Sequence, residues 1–106
     1  MGIKPTIAIV TNDNNVTIPS AFSPNDDGLN DTFIPVFTPY GFNMSCFQMI
    51  IFDRWGSVLY GTDINKGWNG SVKGLDCPEG VYVYLLRYCD ADSTEHNKLG
   101  HFTLIR

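Results

Sequence analysis

Three features of this 106-residue sequence predict an all-β fold, an immunoglobulin-like antiparallel β-sandwich of about seven strands. Gly and Pro recur at intervals of roughly ten residues. The stretches between them are rich in β-branched and aromatic residues. No segment combines a helical apolar period with capping residues. A chain of this length supports one core and not two. Its 43% hydrophobic and 17% charged residues fit a compact globule rather than a disordered tail. The formal net charge of −4 argues against nucleic acid, whose phosphates demand a basic footprint. No apolar run reaches the roughly 18 residues of a membrane span.

Each element has its own local justification. Ile3 to Val10 mixes β-branched residues with one Pro, which suits an edge strand or a linker over residues 1–15. Asn12 to Asn15 reads as a turn, and Val16 to Ile18 as a short strand. Thr32 to Phe37 is extended and again interrupted by Pro35. Cys46 to Asp53 is the clearest central strand: Phe47, Met49 and Ile51 alternate with Gln48, Ile50 and Phe52, so burial is expected on both faces. Arg54 to Ser57 turns the chain, and Val58 to Tyr60 returns as a hairpin partner. Asn69-Gly70 is a type I′ turn signal. Pro78-Glu79-Gly80 introduces the long strand Val81 to Tyr88. Asp90 to Lys98 reads as a polar hairpin loop, and Leu99 to Ile105 as the last strand.

The segment Ile18 to Phe33 carries the densest candidate chemistry. Ser23, Asn25, Asp26, Asp27, Asn30 and Asp31 place oxygen-bearing side chains around Gly28, a residue suited to a sharp reversal. By spacing, Ser23, Asn25, Asp27 and Asp31, with the Leu29 carbonyl, match part of a Ca²⁺ loop. Position twelve is Ile34 instead of a bidentate Glu, and no helices flank the loop. The same residues also suit an Asx-rich turn that ties itself to its own backbone N–H groups. Three cysteines, Cys46, Cys77 and Cys89, leave at least one unpaired. Cys46 with Cys89 is the preferred pair, since both end predicted strands, and three thiols are the competing reading. Without a Cys-x-x-Cys element, a zinc site with His96 and His101 is not supported.

Trp55 and Trp68 suit either an exposed platform for a sugar or partner, or core and rim packing beside Tyr60, Tyr82 and Tyr84. Arg54 suits pairing with a carboxylate such as Asp63 or Asp76, or stacking on an aromatic ring. His96 and His101 lack a companion nucleophile at a strained turn. Asp26 and Asp27 are adjacent on a short loop and do not form a convergent carboxylate pair, so no hydrolase is indicated.

Four blocks stand in fixed order: Ile18-Pro-Ser-Ala-Phe-Ser-Pro-Asn-Asp-Asp-Gly-Leu-Asn-Asp-Thr-Phe33; Ile51-Phe-Asp-Arg-Trp-Gly56; Gly67-Trp-Asn-Gly70 with Pro78-Glu-Gly-Val-Tyr-Val-Tyr84; and Gly100-His-Phe-Thr-Leu-Ile-Arg106. Over residues 16–106 they resemble the gliding motility-associated C-terminal domain of Bacteroidota, the type B sorting domain of the type IX secretion system. Asp26, Asp53 and Asn69 depart from its usual Gly, Asn and Asp, and the cysteines are not part of its pattern.

The resemblance implies a non-enzymatic domain at the end of a larger exported protein, and the isolated domain is expected to be a monomer. Outer-membrane components of the type IX machinery would read it after transit through the periplasm, and the signal peptide would lie on the longer parent, since residues 1–5 form no leader. The last strand is the natural place for part of the signal: Leu99, Gly100, Phe102, Thr103, Leu104, Ile105 and Arg106 can be read as a peptide or as a strand added to another sheet edge. The competing reading is a calcium-stabilised adhesion or carbohydrate-binding module built on Asn25, Asp27 and Asp31 with Trp55 or Trp68.

Overall fold

The computed structural model describes residues 16–25, 31–38 and 43–106. The expected edge strand Ile3–Val10, the turn Asn12–Asn15, Gly28, and the cation candidates Asp27 and Leu29 lie outside the described residues. Nine strands and no helix occur in the described chain: β1 (Val16–Thr17), β2 (Ala21–Phe22), β3 (Val36–Phe37), β4 (Asn43–Phe52), β5 (Val58–Thr62), β6 (Ser71–Val72), β7 (Leu75–Asp76), β8 (Gly80–Cys89) and β9 (Glu95–Leu104). They build a β-sandwich. One layer is a five-stranded sheet in the order β2-β9-β8-β4-β5; the pairs β1-β3 and β6-β7 form two smaller sheets. The excess over about seven strands comes from two-residue pieces, because Pro19, Pro24 and Pro35 interrupt the ladder where they fall.

The pleat sorts the core. Phe47, Met49 and Ile51 of β4, Tyr82, Leu86 and Tyr88 of β8, Phe102 and Leu104 of β9, and Phe22 of β2 are buried on one face of the large sheet. Phe33 and Trp68 close over them, joined by reciprocal backbone bonds of 2.8 and 3.0 Å. Phe33 stacks on Phe102 with ring centroids 3.8 Å apart. Trp68 meets Phe22, Tyr82 and Phe102 at tilted or edge-on angles, and its Nε1–H donates to the Ser71 carbonyl at 3.0 Å. A buried indole thus keeps its one polar group satisfied. Cys46 and Cys89 form the disulfide, closing a sequence separation of 43 and constraining the unfolded chain by about 2–4 kcal/mol.

Several local expectations are corrected. Burial on both faces of β4 does not hold: Gln48 is exposed, and Ile50 and Phe52 are only half-buried, whereas Phe33, Phe37 and Trp68 pack on the opposite face of the large sheet. Thr32 to Phe37 is a strand only at Val36–Phe37, with Phe33 a single bridge to Trp68. The two-residue turn with both central residues at positive φ is Lys73-Gly74 (53° and 79°) between β6 and β7, not Asn69-Gly70. Asn69 instead accepts from the Ser71 N–H and hydroxyl.

The loop after β8 is short, and β9 starts at Glu95 rather than Leu99. The Asp90 carboxylate organises it, accepting from the Asp92 and Thr94 amides at 2.9 and 3.0 Å. His96, 3.0 Å from its other oxygen, and these amides hold Asp90 below the usual carboxylate range. Finally, β2 pairs with β9 in parallel, Ala21 opposite Thr103 and Phe22 opposite Leu104, so the sandwich is not wholly antiparallel.

Trp68→Ala should lower stability by about 3–5 kcal/mol, whereas Trp55→Ala should change it by about 0.5 kcal/mol or less. Urea unfolding of both variants checks the contrast; equal losses would contradict this core.

Candidate functional site

The last strand lies inside the large sheet. Its register with β8 runs unbroken from Gly80↔Leu104 to Cys89↔Glu95. At its other edge Thr103 and Ile105 donate backbone N–H groups to Ser20 and Phe22, both at 2.9 Å. The pleat then divides the expected recognition residues. Phe102 and Leu104 are fully buried. Gly100 leaves room for the Tyr84 ring: a Cβ there would stand 2.6 Å from the Tyr84 oxygen, so any side chain would displace the ring. Leu99 is 73% exposed and Ile105 46% exposed, with Thr103 half-buried between them.

Arg106 is committed to the fold. Its backbone N–H donates to Glu79 Oε1 at 2.8 Å. Its Nε donates to the Cys77 carbonyl at 3.0 Å and its Nη2 to the Gly70 carbonyl at 2.8 Å, while Nη1 lies 3.9 Å from Asp76 Oδ1. The planar guanidinium fork serves two carbonyls at once, a geometry an ammonium cannot reproduce. Gly70 makes the approach feasible. Its φ is 82°, and a Cβ would meet Pro24, Leu104 and Arg106 at 3.2–3.4 Å. These partners, 27 to 36 residues away in sequence, have no local periodicity that could announce them.

The other candidates separate. Of the acidic segment, Ser23, Asn25 and Asp31 are described. Asn25 N–H donates to the Ser23 carbonyl at 2.9 Å and to Asp31 Oδ1 at 3.2 Å. Trp68 is core and offers no platform. Trp55 is 79% exposed and sits on a rigid turn in which Asp53 Oδ1 accepts from the Trp55 and Ser57 amides, each at 2.9 Å. Arg54 takes the stacking alternative, its guanidinium carbon 5.0 Å from the Trp55 ring centroid; Asp76 lies instead beside Arg106. Next to this turn, a cleft of about 140 Å³ is lined by Trp55, Leu59, Cys77, Pro78 and Tyr82. Burial raises the Cys77 thiol pKa against the opposing pull of Arg106, which keeps the thiolate scarce.

Arg106→Ala should lower stability by about 1–2 kcal/mol, since it removes a charged donor from the Cys77 carbonyl and from the Gly70 carbonyl, which then keeps only the Cys77 N–H. Arg106→Lys should recover less than half of that loss. Chemical denaturation checks both; full recovery by Lys would reduce the clasp to a charge effect.

The comparisons with known proteins agree with this architecture. The model of the CHU_C type IX secretion signal domain matches residues 16–104, from the start of β1 to the end of β9. Among solved structures, the crystal structure of CopC from Methylosinus trichosporium OB3b is similar with a TM-score of 0.50 at 15% identity, over 83% of this chain and 84% of that one. That likeness is one of fold. The curated proteins gave no match. A match running through all nine described strands, the first three sequence blocks and the fourth as far as Leu104 shows that the chain belongs to the CHU_C family of type IX secretion signal domains.

Proposed function

We propose that this domain directs a larger exported protein to the outer-membrane components of the type IX secretion machinery, which read it as a folded unit by protein–protein recognition. The domain itself performs no catalysis, and its parent crosses the periplasm behind a signal peptide of its own before reaching the cell surface or the medium. The family match over residues 16–104 carries this reading. The placement of β9 supports the emphasis on a folded signal: a strand whose Phe102 and Leu104 are buried cannot offer those side chains to a receptor while the sandwich stays intact. Recognition then falls to Leu99, Thr103 and Ile105 and the surface around them, with Arg106, Gly100, Phe102 and Leu104 acting through the fold.

The exposed Trp55 turn favours a second reading, an adhesion or carbohydrate-binding module, because a ring 79% exposed on a pre-organised turn is the form that sugar platforms take. Loss of glycan retention in Trp55→Ala with export unaffected would support that use of the surface.

The deciding experiment fuses the domain to a fluorescent reporter behind an ordinary signal peptide in a gliding bacteroidete, with and without residues 99–106. Reporter outside the cell only with the complete domain is the expected result. Periplasmic retention of both fusions, with the complete domain folded, would overturn the sorting role in that host.

A further inference from the structure

Among the described residues, the edge of β9 is only partly covered. Thr103 and Ile105 point their N–H groups outward to β2, and the register of β9 with β8 has no break. Alternation therefore turns the N–H and C=O of Asn97, Leu99 and His101 toward the same outer edge. None of these three residues has a backbone partner on that side among the described residues. The cause is local. Residues upstream of Ser20 would continue β2 alongside Leu99, but Pro19 cannot donate to a ladder, and Val16 and Thr17 pair with β3 in the other layer. The chain changes sheets at Pro19 and, among the described residues, leaves a slot about 10–15 Å long beside β9.

We infer that this slot takes an extended strand from the secretion partner, which adds to the sheet at Asn97, Leu99 and His101 in line with β2. The inference rests on the sorting role proposed above and specifies how the folded signal is read. Backbone hydrogen bonds supply the attachment, since unpaired N–H and C=O groups on a strand edge template another strand. Side chains supply the preference. Leu99 is 73% exposed, and its register partners across the sheet are Leu85 and then Ile50. An apolar residue of the incoming strand opposite Leu99 extends that apolar row. The far edge of the sheet is a poorer template, because β5 pairs with β4 through a register break at Ile51/Phe52 and irregular pairing impairs strand addition.

The test uses the complete domain fused to the secreted reporter, with three substitutions. Leu99→Pro removes an outward N–H that the β8 ladder does not use and obstructs the slot with its ring. Leu99→Lys puts a charge on the edge and leaves the backbone unchanged, so it carries the test if the proline variant does not fold. Val58→Lys adds the same charge at the far edge. Each domain is also melted in isolation to establish folding, and amide exchange is measured on the unmodified one. In the free domain the Asn97, Leu99 and His101 amides should exchange much faster than those of Lys98, Gly100 and Phe102. Export should fall at least tenfold for folded Leu99→Pro or Leu99→Lys and remain unchanged for Val58→Lys.

Export of folded Leu99→Pro and Leu99→Lys at the unmodified level would overturn the edge inference and leave the sorting role standing. Failure of the unmodified fusion to be exported would instead overturn the sorting role. Slow exchange at all three edge amides would show that the slot is already filled, either by residues 1–15 or by a second copy, and that outcome also overturns the inference; sedimentation tells those two occupants apart.

Discussion

The packing of Phe102 and Leu104 under Phe33, Trp68 and Phe22 is the contact on which the rest of this structure depends. These rings and methyl groups are contributed by β9, the second-layer bridge and β2. The Phe33–Phe102 stack at 3.8 Å joins the two layers directly. A buried aromatic cluster of this size contributes several kcal/mol beyond what any one strand pairing supplies. It also fixes register. Because side chains alternate across a sheet, a one-residue slip of β9 would turn Phe102 and Leu104 outward and bring His101 and Thr103 into the core.

The Arg106 clasp follows from that register. With Leu104 seated, Arg106 falls beside the carbonyls of Gly70 and Cys77 and the Glu79 carboxylate, and the β6-β7 hairpin is tied to the end of the large sheet. The same register sets which groups β9 leaves outside. Its buried residues hold the domain together, while Leu99 and Thr103, with Ile105 just beyond the strand, are exposed or half-buried. One strand thus has a buried and an exposed side, separated by the pleat.

Much of this was legible in the sequence, and the reasons are specific. The long strands β4 and β8 follow from period-two alternation and Gly/Pro punctuation, and the disulfide is the preferred pair, although Cys46 lies within β4, which starts at Asn43, and only Cys89 ends its strand. The four blocks in order identified the family before any geometry was known. Other features were not legible. Asn69-Gly70 carries a stronger turn signal than Lys73-Gly74, yet the latter makes the hairpin, because Trp68 is held to Phe33 and Ser71 and its neighbours cannot form a free two-residue loop. Trp55 and Trp68 look alike in sequence. Only the bridge of Trp68 to Phe33, and the Asp53-ordered turn under Trp55, separate a core ring from an exposed one. Parallel pairing of β2 with β9 joins residues about eighty positions apart in sequence, and no local pattern encodes it.

The proposed signal is a folded sandwich completed by β9 rather than a linear tail. It is tested most directly by plotting reporter export against the folded fraction of the domain for core substitutions inside and outside the last strand, such as Phe102→Ala and Phe33→Ala. A single curve is expected, with export falling as the folded fraction falls wherever the substitution lies. Efficient export of an unfolded Phe33→Ala domain that retains residues 99–106 intact would contradict it.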